Sequence, residues 1–182
     1  MMRKMTFLLV FVAVAALCTA PAVAGKANAK LASGGFFLGL TDVGTATCVN
    51  GTPTEWFPPC TAGTHNTIWR HYAGMMQFAA VGGGAAPFFT GIWVIPGNCN
   101  LDENLVGACW GTFQGSALGG TWEGSWDGKL DFVRFGGELR FVGYGTGGGV
   151  DGLHLKLEAA SEGSADEYVP MPFTARVFSV KE

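Results

Sequence analysis

A chain of 182 residues, 48% hydrophobic and only 14% charged, has the size of one domain and enough apolar material to bury a core without help from a partner. Its formal net charge of −3 and the lack of any basic cluster exclude a polyanion-binding surface, so nucleic acid is not an expected partner.

The first element in chain order is a secretory signal peptide over residues 1–24. Arg3 and Lys4 form the positive start, Phe7 to Leu17 the apolar run, and Ala22-Val23-Ala24 the small-residue site that places cleavage before Gly25. The competing transmembrane anchor is opposed by Pro21 and by polar Lys26, Asn28 and Lys30 immediately after. Lipidation at Cys18 is opposed by Leu17 before it. The expected product is an exported protein, periplasmic or extracellular, with no stable membrane insertion. It has 158 residues and a net charge of −5: a flexible N-terminal stretch over 25–34, then a single domain over 35–182.

Four cysteines follow the cleavage site, and an even number in an oxidising compartment reads as two disulfides. Of the three pairings, Cys48–Cys60 and Cys99–Cys109 are favoured because each brackets a short polar or Pro-rich segment between strands. Zinc is the alternative, but the spacings are too wide for a Cys-x-x-Cys knuckle. No metal and no cofactor are expected.

No stretch after residue 25 keeps a 3.6-residue apolar period for three turns, and the frequent glycines disfavour long helices. Strands are expected at 35–40, 68–80, 88–95, 109–116, 120–126, 130–135, 138–145, 153–160 and 172–180. Leu153, Leu155, Leu157 and Ala159 alternate with His154, Lys156 and Glu158, giving one dry and one wet face. Short strands with turn signals about every ten residues point to an all-β fold, an antiparallel closed barrel of about eight strands, with a β-sandwich as the alternative. Gly111, Gly115, Gly124 and Gly143 fit the coiling that closure demands. The segment 111–116 (GTFQGS) returns as 120–125 (GTWEGS), as expected of two hairpin-paired strands around the turn Ala117-Leu118-Gly119.

The reactive motifs are weak. Gly143, Gly145 and Gly148 spell G-x-G-x-x-G, but between strands rather than ahead of a helix. Ser116 and Ser125 lack the glycine of a nucleophile elbow. His65 and His71 fall on one side of a strand, and a metal site there would need a carboxylate from elsewhere; a loop histidine and a surface histidine explain them better. Glu123 and Asp127 lie among Trp122 and Trp126, yet alternation puts the acids on one face and the tryptophans on the other. Asn98, Asn100, Asp102 and Asn104 alternate like calcium ligands but lack the loop's glycine and terminal acid. Asn50-Gly51-Thr52 is a glycosylation sequon in a eukaryotic host. No catalytic constellation emerges, and no catalytic residue is assigned.

Residues 143–157 (GYGTGGGVDGLHLKL), followed after a polar loop by the final strand PFTARVFSV, together with GTWEGSWDG at 120–128, resemble the C-terminal part of small bacterial allene-oxide-cyclase-like barrel proteins. The matching positions are Gly145, Thr146, Gly147, Gly152 and Leu153, and the resemblance covers about residues 110–180. The N-terminal half, with its Cys-bracketed loops and Trp69-Arg70-His71, departs from it. The resemblance implies a short antiparallel barrel with an apolar interior, assembled as a homo-oligomer in many relatives; plant members cyclise a fatty-acid epoxide. It carries no catalytic residue onto this chain.

Three functions follow as expectations. The first is an exported barrel, structural or holding a small apolar molecule among Phe113, Trp122, Trp126, Phe141 and Leu155, unless these merely fill the core. The second is a cyclase- or isomerase-like enzyme acting on a lipid-like substrate. The third is a small outer-membrane barrel, opposed by the Val180-Lys181-Glu182 ending.

Overall fold

The structure is a computed structural model that describes residues 29–42, 44–48, 67–164 and 169–179. Ten strands form one antiparallel sheet: β1 (Lys30–Asp42), β2 (Thr45–Cys48), β3 (Thr67–Gly82), β4 (Ile92–Val94), β5 (Gly97–Leu101), β6 (Val106–Ala117), β7 (Gly120–Asp131), β8 (Gly136–Thr146), β9 (Leu153–Ser161) and β10 (Met171–Ser179). The path runs β1, β10, β9, β8, β7, β6, then β4 and β5 sharing one position, then β3, and pairing of β3 with β1 closes it into an eight-stranded barrel. The extra strand, β2, pairs with the start of β3 on the edge that β1 occupies further along. Closure removes the unpaired edges that an open sheet presents to other chains.

The barrel is filled with rings, and its glycines make room for them. Across the β6–β7 pair, Phe113 faces Gly124 and Trp122 faces Gly115, so the repeated hexapeptide in antiparallel register sets each of its rings against a residue without a side chain, and Trp126 just after it faces Gly111. A Cβ on Gly124 would lie 2.6 Å from Phe113 Cε1, and one on Gly143 would lie 2.5 Å from Phe113 Cζ. These glycines are thus fixed by close packing of rings on backbone. Trp93 stacks on Phe113 at 5.4 Å, Phe113 meets Phe141 edge-on at 5.6 Å, and Phe141 stacks on Trp126 at 6.2 Å. Such ring pairs contribute about 0.5–1.5 kcal/mol each beyond the area they bury.

Alternation along β9 is as expected, with Leu155, Leu157 and Ala159 buried and His154, Lys156 and Glu158 outside. The outer wall carries a mainly polar transverse row, Trp110, Asp127, Arg140, Glu158 and Thr174, in which Arg140 and Asp127 make an ion pair, beside exposed apolar residues such as Val94 and Val142. Cys99 and Cys109 face each other across β5 and β6, and their disulfide (Cα–Cα 4.1 Å) staples that hairpin. It contributes about 3 kcal/mol by restricting the unfolded chain. The Cys48–Cys60 pairing, His65 and the signal segment lie outside the described residues.

Four expectations are corrected. β1 begins at Lys30, paired with Val177, so residues 30–34 belong to the sheet rather than to a flexible lead. Residues 130–135 are not a separate strand: β7 continues through Asp127-Gly128 to Asp131 and then turns, with Phe135 at φ 53°. Gly128 stands in the ladder opposite Leu139, at a position that requires glycine because a Cβ there would collide with Glu138 O. Residues 88–95 supply only Ile92–Val94, after a 3-10 turn at Ala86–Phe88. Finally, Gly97–Leu101, which falls between the expected strands 88–95 and 109–116, is β5.

Candidate functional site

The two openings of the barrel differ. At the end where β6 turns into β7, Leu118 (φ 51°) and Gly119 (φ 75°) make the two-residue hairpin turn that suits the sheet's twist. Two short 3-10 turns then lie across the opening. The first, Ala86–Phe88, is tied by Ala85 N–H to Leu31 O at 2.9 Å and by Trp122 Nε1–H to Phe88 O at 3.2 Å. The second, Gly148–Val150, is tied by Gly149 N–H to Leu118 O at 2.9 Å and seats Val150 with no exposed surface. Gly145, Thr146, Gly147 and Gly152 frame this second plug; a Cβ on Gly145 would lie 2.7 Å from that of Val150. This end is sealed.

At the other end lies an apolar cleft of about 260 Å³. Its floor is Phe36, Tyr72, Trp126 and Leu139, and its walls are Leu38 and Leu40 of β1, Ile95, Leu130 and Met171. Phe132, Phe135 and Val169 stand at the rim, where Phe135 is 46% and Val169 40% exposed. For scale, an engineered apolar cavity of about 150 Å³ takes benzene, so this space admits a molecule of roughly twice that size. Among the described residues, the ionisable groups on the lining are Tyr72 and Asp131. Asp131 Oδ1 accepts hydrogen bonds from Val133 N–H and Arg134 N–H, both at 2.9 Å, and so holds the β7–β8 turn.

Tyr72 reaches the floor by a bulge. Between Trp69, opposite Cys99, and Tyr72, opposite Gly97, β3 carries one residue more than β5, with His71 at φ 55°. The extra residue lets both Trp69 and Tyr72 point inward, their rings 4.6 Å apart, where strict alternation would have turned one of them out. Asn98 Oδ1 accepts from the His71 N–H at 3.1 Å, replacing the ladder bond that the bulge breaks. The Tyr72 hydroxyl sits 4.0 Å from Cys99 Sγ, and burial pushes its pKa well above the ordinary tyrosine value. It is a neutral donor at the bottom of the cleft.

Of the five residues proposed from sequence as a cavity lining, all are buried in the barrel, but only Trp126 borders the cleft. Phe113, Phe141 and Leu155 belong to the packed middle, and Trp122 lies under the Phe88 plug with ring centroids 6.2 Å apart. Phe36, Leu40, Tyr72, Leu139 and Met171 were missed, since they come from four strands far apart in sequence. Thr67 Oγ1 and Trp93 Nε1 are buried without a hydrogen-bond partner, and neither borders the cleft.

The remaining motifs find structural roles. Glu123 and Asp127 face outward, opposite to Trp122 and Trp126; Glu123 accepts from Gln114 Nε2 at 3.0 Å. Asn98 and Asn100 share the outer face of β5, Asn100 Oδ1 accepting from Arg70, and Asp102 Oδ1 caps the hairpin turn through Asn104 and Val106 N–H. His154 stacks on Phe178. Among the described residues no cluster of His, Cys, Asp or Glu has metal-ligand geometry. Comparison with protein-family models, with curated proteins and with solved structures finds no match to this chain.

Proposed function

We propose that this protein is an exported barrel that holds a small apolar molecule in its open mouth. The observation that carries this reading is the cleft itself: an apolar opening at one end of a barrel whose other end is sealed and whose middle is filled. A purely structural barrel gains nothing from leaving Leu38 and Leu40 only half-buried around a gap. The resemblance of residues 110–180 to allene-oxide-cyclase-like barrels implies an apolar interior of the same kind.

The other two readings fare less well. A cyclase or isomerase would have to work with Tyr72, kept neutral by burial, and Asp131, one of whose oxygens already serves the β7–β8 turn. An outer-membrane barrel presents apolar side chains to lipid at mid-height, whereas here Asp127, Arg140, Glu158, Lys156 and Arg176 lie on the outer wall.

Titration with 1-decanol, naphthalene and other apolar compounds, read by tryptophan emission, tests the proposal. A saturable change that shrinks in Trp126→Phe is expected, with affinity falling at least tenfold, about 1.4 kcal/mol, when Leu40→Trp narrows the mouth. No saturable response to any of the compounds would overturn it.

A further inference from the structure

Resting on that reading, we infer that the cleft selects by charge: it takes uncharged apolar molecules and rejects those with an anionic head, fatty-acid carboxylates included. The lining residues carry the argument. Among the described residues, the charged residue that borders the cleft is an acid, Asp131, whose carboxylate is held at the edge by Val133 and Arg134 N–H, and no cation borders it. A carboxylate entering beside it meets a like charge and loses its water without gaining a cation.

The basic residues of this end are turned to other tasks. Arg70 donates to Trp69 O at 2.9 Å, Cys99 O at 2.8 Å and Asn100 Oδ1 at 2.8 Å, and lies over the Trp110 ring on the outer wall. Lys129 is exposed on the outer face of β7, opposite Glu138. Arg134 is exposed at the tip of the β7–β8 turn, and none of the three borders the cleft. Glu103 and Glu162 are exposed in the β5–β6 turn and after β9, and Asp42 at the end of β1, so the surroundings of the opening are acidic as well. On the floor, Tyr72 offers a neutral ring and hydroxyl.

The test compares 1-decanol with decanoate at pH 7.5, two probes with one chain and different heads, by tryptophan emission and by native mass spectrometry of the intact protein. Decanol is expected to bind at least tenfold more tightly. Asp131→Asn, whose side-chain oxygen can still accept from Val133 and Arg134, is expected to tighten decanoate binding and so narrow that ratio several-fold; circular dichroism verifies that the variant is folded. Decanoate binding as well as decanol, or a ratio that Asp131→Asn does not move, would overturn the charge selection while leaving the apolar site standing. Failure of both probes to bind would instead remove the site on which the inference rests.

Discussion

At the sealed end, Phe88 and Val150 lie across the opening; at the mouth, Phe132 and Phe135, no less apolar, stand around one. Composition does not separate the two ends. What differs is where the connecting backbone finds its hydrogen bonds. The plugs bond to the barrel, through Leu31 O, Leu118 O and the Trp122 indole, so they are drawn onto it. The β7–β8 turn is bonded along the rim instead, within itself through Asp131 and to the neighbouring β5–β6 turn through Phe132 N–H to Leu105 O at 3.2 Å, and neither set of bonds draws it across the gap. A barrel end is therefore closed by hydrogen bonds from loop to strand, and oily residues alone do not close it.

The largest expected effect breaks the sealed end. Trp122→Ala removes a fully buried ring and the anchor of the Phe88 carbonyl, and should lower stability by about 3–5 kcal/mol in urea unfolding. A loss under about 1 kcal/mol would mean that the plug is not held as described.

A middle-sized effect sharpens the contrast from the mouth side. Burial raises the Tyr72 pKa in the folded protein, so below the unfolded tyrosine value of about 10 both states are protonated and the group has no pH effect. As pH rises past that value the unfolded chain loses a proton that the folded one keeps, and stability falls by about 1.4 kcal/mol per pH unit from this group. Tyr72→Phe should flatten the decline between pH 10 and 11 by about 1 kcal/mol, because at pH 10 the unfolded tyrosine is only half deprotonated, as read from urea midpoints across the range. An unchanged slope would place the hydroxyl in water.

The smallest effect is at the rim. Val169→Ala should change stability by less than about 0.5 kcal/mol, because the side chain is substantially exposed, while weakening decanol binding measurably. A cost like that of Trp122→Ala would erase the distinction between the ends.

Much of the wall was legible in the sequence. Leu153 to Ala159 alternates without a break, and the GTFQGS and GTWEGS segments pair as neighbouring strands because antiparallel register puts ring against glycine. Strand β5 was hidden because Asn98, Asn100 and Asp102 read as a polar loop, although Cys99 and Leu101 between them are the inward half of the same alternation. The mouth was less legible still. Tyr72 reaches it through a bulge that breaks the two-residue period, and its companions Phe36, Leu40, Leu139 and Met171 meet only once the barrel closes. The tryptophan-rich β7 drew attention to the middle of the barrel, where rings are densest and no space is left.

The pairing of Lys30 with Val177 fixes where the polypeptide joins and leaves the barrel. Both points lie beside the Phe88 plug, with Lys30 Nζ 5.3 Å from the Phe88 ring, on the side away from the cleft. A molecule tethered to a bead, a sensor chip or a fusion partner through residues close to either point thus presents its mouth to the surrounding medium, and immobilisation there leaves the route into it unobstructed.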